Sequence, residues 1–148
     1  MQITSNIPFV IGSILAKFRA LESPETVSRA AAVAVLPEFR NRIHVEGKKT
    51  DGSAIGTYSN SYLKLRQKPP YNRTSDPDVI ASLTRQLENG YVLKATEKGY
   101  TIGNASPYND EKIKHLTEQY GEVFLLSQRE LEIAQIAANE TTLVIMNK

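Results

Sequence analysis

Near the start of the chain, apolar residues recur at helical spacing: Ile7, Val10, Ile11, Ile14, Leu15 and Phe18, with Leu21 one step on. Positions three and four apart share a helix face, so this pattern predicts an amphipathic helix over about Ile7 to Ala20, with Ser5 or Asn6 able to cap it. Ser23-Pro24-Glu25 then supplies an N-cap serine, a proline at the first helical position and an acid in the first turn. The Ala-rich run from Val27 to Ile43 is expected to follow as a second helix. Pro37 lies inside it and is expected to bend or break it, because proline lacks the backbone N–H and clashes with the preceding turn. Two helices joined by a tight turn form a helical hairpin, whose apolar stripes need a sheet or a neighbouring subunit to cover them.

The pattern changes after His44. Glu46 to Gly56 is polar and holds three glycines, which reads as a long exposed loop. Ser59 can cap a short basic helix running through Lys68, Pro69-Pro70 stops it, and Tyr71 to Asp78 reads as linker. Tyr91 to Ala95 and Tyr100 to Gly103 are β-rich runs around Thr96-Glu97-Lys98-Gly99, the pattern of a hairpin. Asn109 is placed to cap a helix carrying Ile113, Leu116 and Tyr120, which Gly121 would close. Val123-Phe124-Leu125-Leu126 is short and apolar and is expected to be buried. Ser127-Gln128-Arg129-Glu130 has the form of a capping box, with Leu126 and Leu131 in the positions of a hydrophobic staple. It opens a C-terminal helix bearing Leu131, Ile133, Ile136 and Ala137 and extending to about Val144.

The elements add up to an α+β fold: an N-terminal helical hairpin, a small antiparallel β-sheet with long loops, and C-terminal helices. A chain of 148 residues is one domain. Within it, residues 1–45 form the helical hairpin, 46–78 an extended loop with the short basic helix, and 79–148 the β-hairpin and helices. Hydrophobic content of 41% and charged content of 23% exclude wholesale disorder.

The net charge of +2 conceals an asymmetry. From Lys49 to Arg73 five positive residues face Asp51 alone, giving +4, whereas from Asp76 onward seven positives face eleven negatives, giving −4. Complementary halves of this kind suit head-to-tail contacts between copies as well as an anionic ligand. The chain has no cysteine, so it offers no disulfide framework or thiolate metal site. Ile7 to Leu15 has no Lys or Arg before it and is interrupted by Gly12-Ser13, which fits neither a signal peptide nor a membrane span. A soluble intracellular product with no membrane contact is expected.

Chemistry is thinly represented. His44 and His115 are each alone in their segments and read as surface or capping residues more readily than as metal ligands or general bases. Asp76 and Asp78 flank Pro77, where an aspartate ordinarily bonds its own backbone. No Gly-x-Ser-x-Gly elbow occurs, and Gly52 and Gly56 lack the Gly-Lys-Ser/Thr ending of a phosphate loop. No catalytic, cofactor or metal residue is assigned, and the chain is not read as an enzyme. That reading would change for a pocket holding His44 or His115 beside a carboxylate. Tyr58, Tyr62, Lys64, Arg66, Lys68, Tyr71 and Arg73 interleave rings with cations, as a surface tracking nucleic acid requires. The other reading of that stretch is a half-buried helix whose tyrosines pack and whose cations are solvated.

Asp51-Gly52, then Tyr58-Ser59 and Tyr62 through Arg66, resembles the "DG…W/G…(L/Y)S…Y…R" stretch of phage virion-morphogenesis (tail-completion) proteins. Leu83-Thr84-Arg85-Gln86-Leu87 looks like the second half of that family's "L-x-x-T-G-x-L", with Arg85 where the family has glycine. Ile102-Gly103 resembles its "(V/I)-G" strand end, and Tyr108, His115 and Tyr120-Gly121 fall near its "Y-A…H…G" stretch. Phe124-Leu125-Leu126-Ser127 with Glu130 looks like the closing "F-(L/G)-L-S-x-x-(E/D)". The likeness covers about Arg42 to Ile136; the family's tryptophan or proline beside the loop is missing.

The resemblance implies a structural component of a tailed-bacteriophage virion, assembled in the host cytoplasm and needing no cofactor. Such proteins form a homo-oligomeric ring at the head–tail junction, joining the portal-proximal connector to the tail around the DNA channel. Expected interface residues are Asp51, Gly52, Tyr58, Ser59, Tyr62 and Arg66, and Lys64, Lys68 and Arg73 are expected to offer non-specific contact to DNA in the channel. The alternative is a small nucleic-acid-binding module using Tyr58 to Arg73.

Overall fold

The computed structural model describes residues 24–97 and 99–148. The expected helix from Ile7 to Ala20 and the Ser23 cap lie outside the described residues. Five helices and one hairpin follow in order: α1 (Pro24–His44), α2 (Asn60–Gln67), α3 (Gln86–Asn89), β1 (Tyr91–Thr96), β2 (Gly99–Asn104), α4 (Pro107–Tyr120) and α5 (Gln128–Met146). The fold is α+β.

Helix α1 is the centre of the molecule. Its buried residues Val35, Phe39 and Ile43 fall four apart on one face. Pro37 does not interrupt it: the helix continues to His44 with the proline in its exposed wall. The missing N–H removes one hydrogen bond, and tertiary contacts along α1 hold the turns on either side. Helix α5 packs antiparallel along α1, with Arg129 Nε 2.9 Å from Glu38 Oε1 at one end. The hairpin lies against α1 as well. The Phe39 and Tyr91 rings meet edge to face at 5.3 Å, and the Tyr100 hydroxyl donates to Glu25 at 3.3 Å.

The hairpin forms where expected but is longer than the expected strands: Thr96 and Gly99 pair instead of belonging to the turn, and the second strand reaches Asn104, which pairs with Tyr91. The core brings together residues distant in sequence: Val35, Phe39 and Ile43 meet Ile55, Val79, Leu87, Tyr91 and Val123. No helix among the described residues is long and apolar enough to cross a membrane.

Three local expectations change. Glu46 to Gly56 is a short folded-back turn: Lys48 bridges Ala54, the Ile55 N–H donates to Gly47 O at 2.8 Å, and Gly47 and Ile55 are buried. Gly47 has φ +62°, and a Cβ there would lie 2.6 Å from Val79 O, so the close approach needs glycine. Asn109 does not cap α4; the helix begins at Pro107 after Ser106, and Asn109 is buried in its first turn. Val123 is buried as expected, but Leu125 and Leu126 face solvent, and it is the backbone of Leu125, through its carbonyl, that turns inward to Arg42.

Candidate functional site

The stretch that motivated the interface assignment folds as the spacing predicts. Ser59 caps α2, its hydroxyl accepting from the Tyr62 N–H at 3.3 Å, and Lys68 follows the last turn. Tyr58, Tyr62 and Arg66 are four apart and stack on one side of α2. The two rings lie 5.1 Å apart and the Arg66 guanidinium sits 4.3 Å over Tyr58. The Tyr58 hydroxyl accepts from the Ile80 N–H at 3.2 Å, and burial pushes its pKa above the usual tyrosine value.

Arg66 is buried, and its Nη1 donates to Ser82 O at 2.7 Å. Arg73 joins the same wall, donating to Leu83 O at 2.9 Å and to the Ser82 hydroxyl at 3.1 Å. These two arginines fix the 79–85 segment, whose carbonyls have no regular ladder to bond them. Arg66 and Arg73 are therefore structural cations. Lys64 and Lys68 are exposed, so only two of the four cations expected to interleave with the rings remain on the surface. That removes much of the charge a strand-tracking surface requires.

In front of this wall is a cleft of about 810 Å³, the size of an ordinary ligand pocket. One side is Tyr58, Ser59 and Tyr62, the floor is Val79 to Leu87, and the far side is α4 with Tyr108, Lys112, His115, Leu116 and Tyr120. None of its lining residues carries a carboxylate. Its cations are Arg85 and Lys112; Lys112 Nζ lies 4.6 Å over the Tyr108 ring and donates to Gln86 Oε1 at 2.7 Å. Arg85 has φ +60°, a left-handed conformation that a residue with a Cβ adopts at a cost of about 1 kcal/mol.

Asp51 and Gly52 are elsewhere. They border a smaller hollow of about 260 Å³ together with Lys48, Thr50 and the start of α5. Asp51 accepts from the Ser53 N–H at 2.9 Å and the Ser53 hydroxyl at 2.6 Å, bonds that hold its carboxyl below the usual range. Gly52, at φ +85°, has open space on its Cβ side. The six expected interface residues thus divide into an exposed turn (Asp51, Gly52), a cleft wall (Tyr58, Ser59, Tyr62) and a buried brace (Arg66).

That turn is held by a residue that sequence reasoning missed. Arg42, buried on α1, directs all five guanidinium N–H groups to acceptors. Nε donates to Glu130 Oε1 at 2.7 Å, Nη1 to Lys48 O and Val123 O at 3.0 Å each, and Nη2 to Leu125 O at 2.8 Å and Glu130 Oε2 at 3.3 Å. Glu130 is completely buried and also closes the predicted capping box, accepting from the Ser127 N–H at 2.8 Å. The turn is tied to the same place by the Thr50 N–H, which donates to Glu122 O at 3.0 Å. The available signal was an arginine adjoining the apolar stripe Val35, Phe39, Ile43.

The histidines separate. His44 is buried, not on the surface. Since Ile80 O can only accept, Nδ1 carries the proton toward it at 3.2 Å and Nε2 accepts from the Tyr91 hydroxyl at 3.0 Å. Burial lowers the pKa of His44, so it stays neutral inside the core. His115 lines the cleft with Glu118 Oε2 3.8 Å from Nδ1, but the side chains are 79% and 61% exposed. Two solvated side chains at this distance interact weakly and have no desolvated setting around them. Among the described residues no cluster of His, Asp or Glu could hold a metal ion. Comparison of the chain with known protein families, curated proteins and solved structures finds no match in any of them.

Proposed function

We propose that this chain is a non-catalytic structural component of a tailed-phage neck or tail, acting as one member of a ring at the head–tail junction. The observation that carries the reading is Arg85. The tail-completion motif places a glycine at that position, and the backbone there has φ +60°, the conformation for which glycine is the default residue. A glycine would occupy this backbone without strain, which supports the residue-by-residue resemblance at its weakest point.

The rest of the surface suits an assembly component. The Asp51-Gly52 turn projects into solvent while Arg42 braces its base. Helix α5 exposes Ile136 and Leu143 on the side away from α1. Large exposed apolar side chains beside a braced loop suit contact with other protein chains. The nucleic-acid alternative loses two of its cations to internal bonds, so it is the second reading.

Quantitative mass spectrometry of purified particles tests the proposal. The expected result is a small integer ratio of this chain to the portal protein. Absence from the particles would discard the virion reading.

A further inference from the structure

The cleft and the outer face of α5 are complementary. The cleft combines the aliphatic side chains of Leu83 and Leu116, tyrosine rings and two cations, and none of its lining residues is acidic, although α4 itself carries Asp110, Glu111 and Glu118. Asp110 is engaged elsewhere, accepting from the Asn104 amide at 3.4 Å, and Glu118 stands at the cleft's edge, 3.8 Å from the lining His115, without lining it. Helix α5 shows the inverse composition. Its inward side is Glu130, Ile133, Ala134, Ala137, Thr141 and Ile145, packed toward α1. The outward side carries Glu132, Ile136, Glu140 and Leu143 at intervals of four, four and three, all exposed, with Ile136 at 57% and Leu143 at 60%. Residues at these spacings form one stripe along a helix. From Glu132 to Leu143 the stripe alternates acid with aliphatic side chains, and the one cation that continues it, Arg129, is paired with Glu38 at 2.9 Å.

We infer that the cleft between α2 and α4 receives the outer stripe of α5 from a second copy of this chain. Ile136 and Leu143 enter against Leu83, Leu116 and the tyrosine rings, and Glu132 and Glu140 meet Arg85 and Lys112. This is the helix-in-groove mode, in which apolar anchors at helical spacing supply affinity and flanking charges set orientation. Cleft and stripe are different surfaces of the same molecule, so the contact is head-to-tail, and repeating it builds a closed ring or an open filament. The strained Arg85 backbone then has a purpose, since it presents the guanidinium at the cleft floor. Nucleic acid is the weaker occupant, because the cleft has only two cations, Arg85 and Lys112, whereas backbone binding depends on many phosphate contacts. The inference rests on the assembly reading above and adds the surfaces that meet.

Charge reversal in the full chain tests it by light scattering and sedimentation. One variant carries Arg85→Glu and Lys112→Glu, the other Glu132→Lys and Glu140→Lys. Each alone should self-associate about tenfold or more weakly than the natural chain, because like charges then oppose each other across the contact. Mixing the two variants should restore association, since the acidic cleft of one accepts the basic stripe of the other, and each unchanged surface still finds its match. That rescue is possible only for folded chains, so misfolding cannot imitate it. A carbodiimide crosslink from Lys112 to Glu132 or Glu140, between copies in a mixture of ¹⁴N- and ¹⁵N-labelled chains, is the second expected result.

A natural chain that stays monomeric, variants that associate normally, crosslinks confined to one copy, or a mixture without rescue would each overturn the contact. So would a cleft variant that loses affinity for single-stranded DNA while its self-association is intact. If the rescue succeeds but the chain is absent from particles, the neck assignment fails and this contact stands.

Discussion

Two buried arginines make the most useful comparison in this molecule. Arg42 and Arg66 have 6% and 2% exposure, each lies beside an aromatic ring, and each ties a helix to irregular chain. Arg42 is saturated, with five donors on five acceptors and a carboxylate for its charge. Arg66 has one direct bond, to Ser82 O, and its buried Nε finds no acceptor among the described residues. Its charge rests on the faces of Tyr58 and Tyr62 instead, at 4.3 and 5.9 Å. Equal burial therefore conceals unequal commitment. The Arg42 hub fixes the turn and the start of α5, while the Arg66 wall supports a cleft that is still open to a partner.

The comparison breaks most visibly at Glu130. Glu130→Ala strands the Arg42 charge in the interior and opens the capping box, and it should cost about 3–5 kcal/mol in chemical denaturation. Replacing the pair together, with Arg42→Met and Glu130→Leu, should cost much less than Glu130→Ala, because no uncompensated charge remains. Arg66→Met should cost only about 1–2 kcal/mol, the worth of one hydrogen bond and a ring contact. Equal losses at Glu130→Ala and Arg66→Met would refute the distinction between the two arginines.

The same contrast separates what the sequence made legible from what it hid. Helix α2 with its Ser59 cap, the Tyr91–Asn104 hairpin, the Gly121 stop and the Ser127–Glu130 capping box are local, decided by residues within a few positions of one another. Arg42 and Glu130 are 88 positions apart, and a capping glutamate has the same local pattern whether or not an arginine reaches it. The Tyr58, Tyr62, Arg66 spacing was visible too, but spacing places residues on one helix face without saying whether that face looks outward. Only the packing of Val79 to Leu83 against α2 turned a supposed binding surface into the wall of a cleft.

His44 gives a smaller, pH-dependent effect on the hub side of the core. Burial lowers its folded-state pKa below the ordinary 6.5, so the unfolded chain takes up a proton at pH values where the folded chain does not. The stability it contributes is therefore fully present above about 6.5 and is lost as pH falls toward the folded value, with a slope of up to about 1.4 kcal/mol per pH unit. His44→Gln should remove that slope in denaturation series run from about pH 7 to about pH 5. A natural chain and variant losing stability in parallel would mean that His44 is protonated inside the fold.

The smallest effect is the most telling for the cleft. Glycine at position 85 would relieve a left-handed backbone that arginine tolerates poorly, while it also increases the freedom of the unfolded chain. The two contributions oppose each other, and the strain is the larger, so Arg85→Gly should stabilise the isolated chain by about 0.5 kcal/mol. The same substitution removes one of the two cleft cations and should weaken self-association. Opposite signs in one variant are the signature of a residue kept for contact at the expense of its own backbone. Arg85→Lys, which keeps the charge and the strain, should leave both quantities near their natural values. If Arg85→Gly left association unchanged, the cation would have no part in assembly. If it lowered stability as well, the αL conformation would be maintained by bonds of the arginine side chain, and the likeness of this turn to a glycine turn would lose its physical basis.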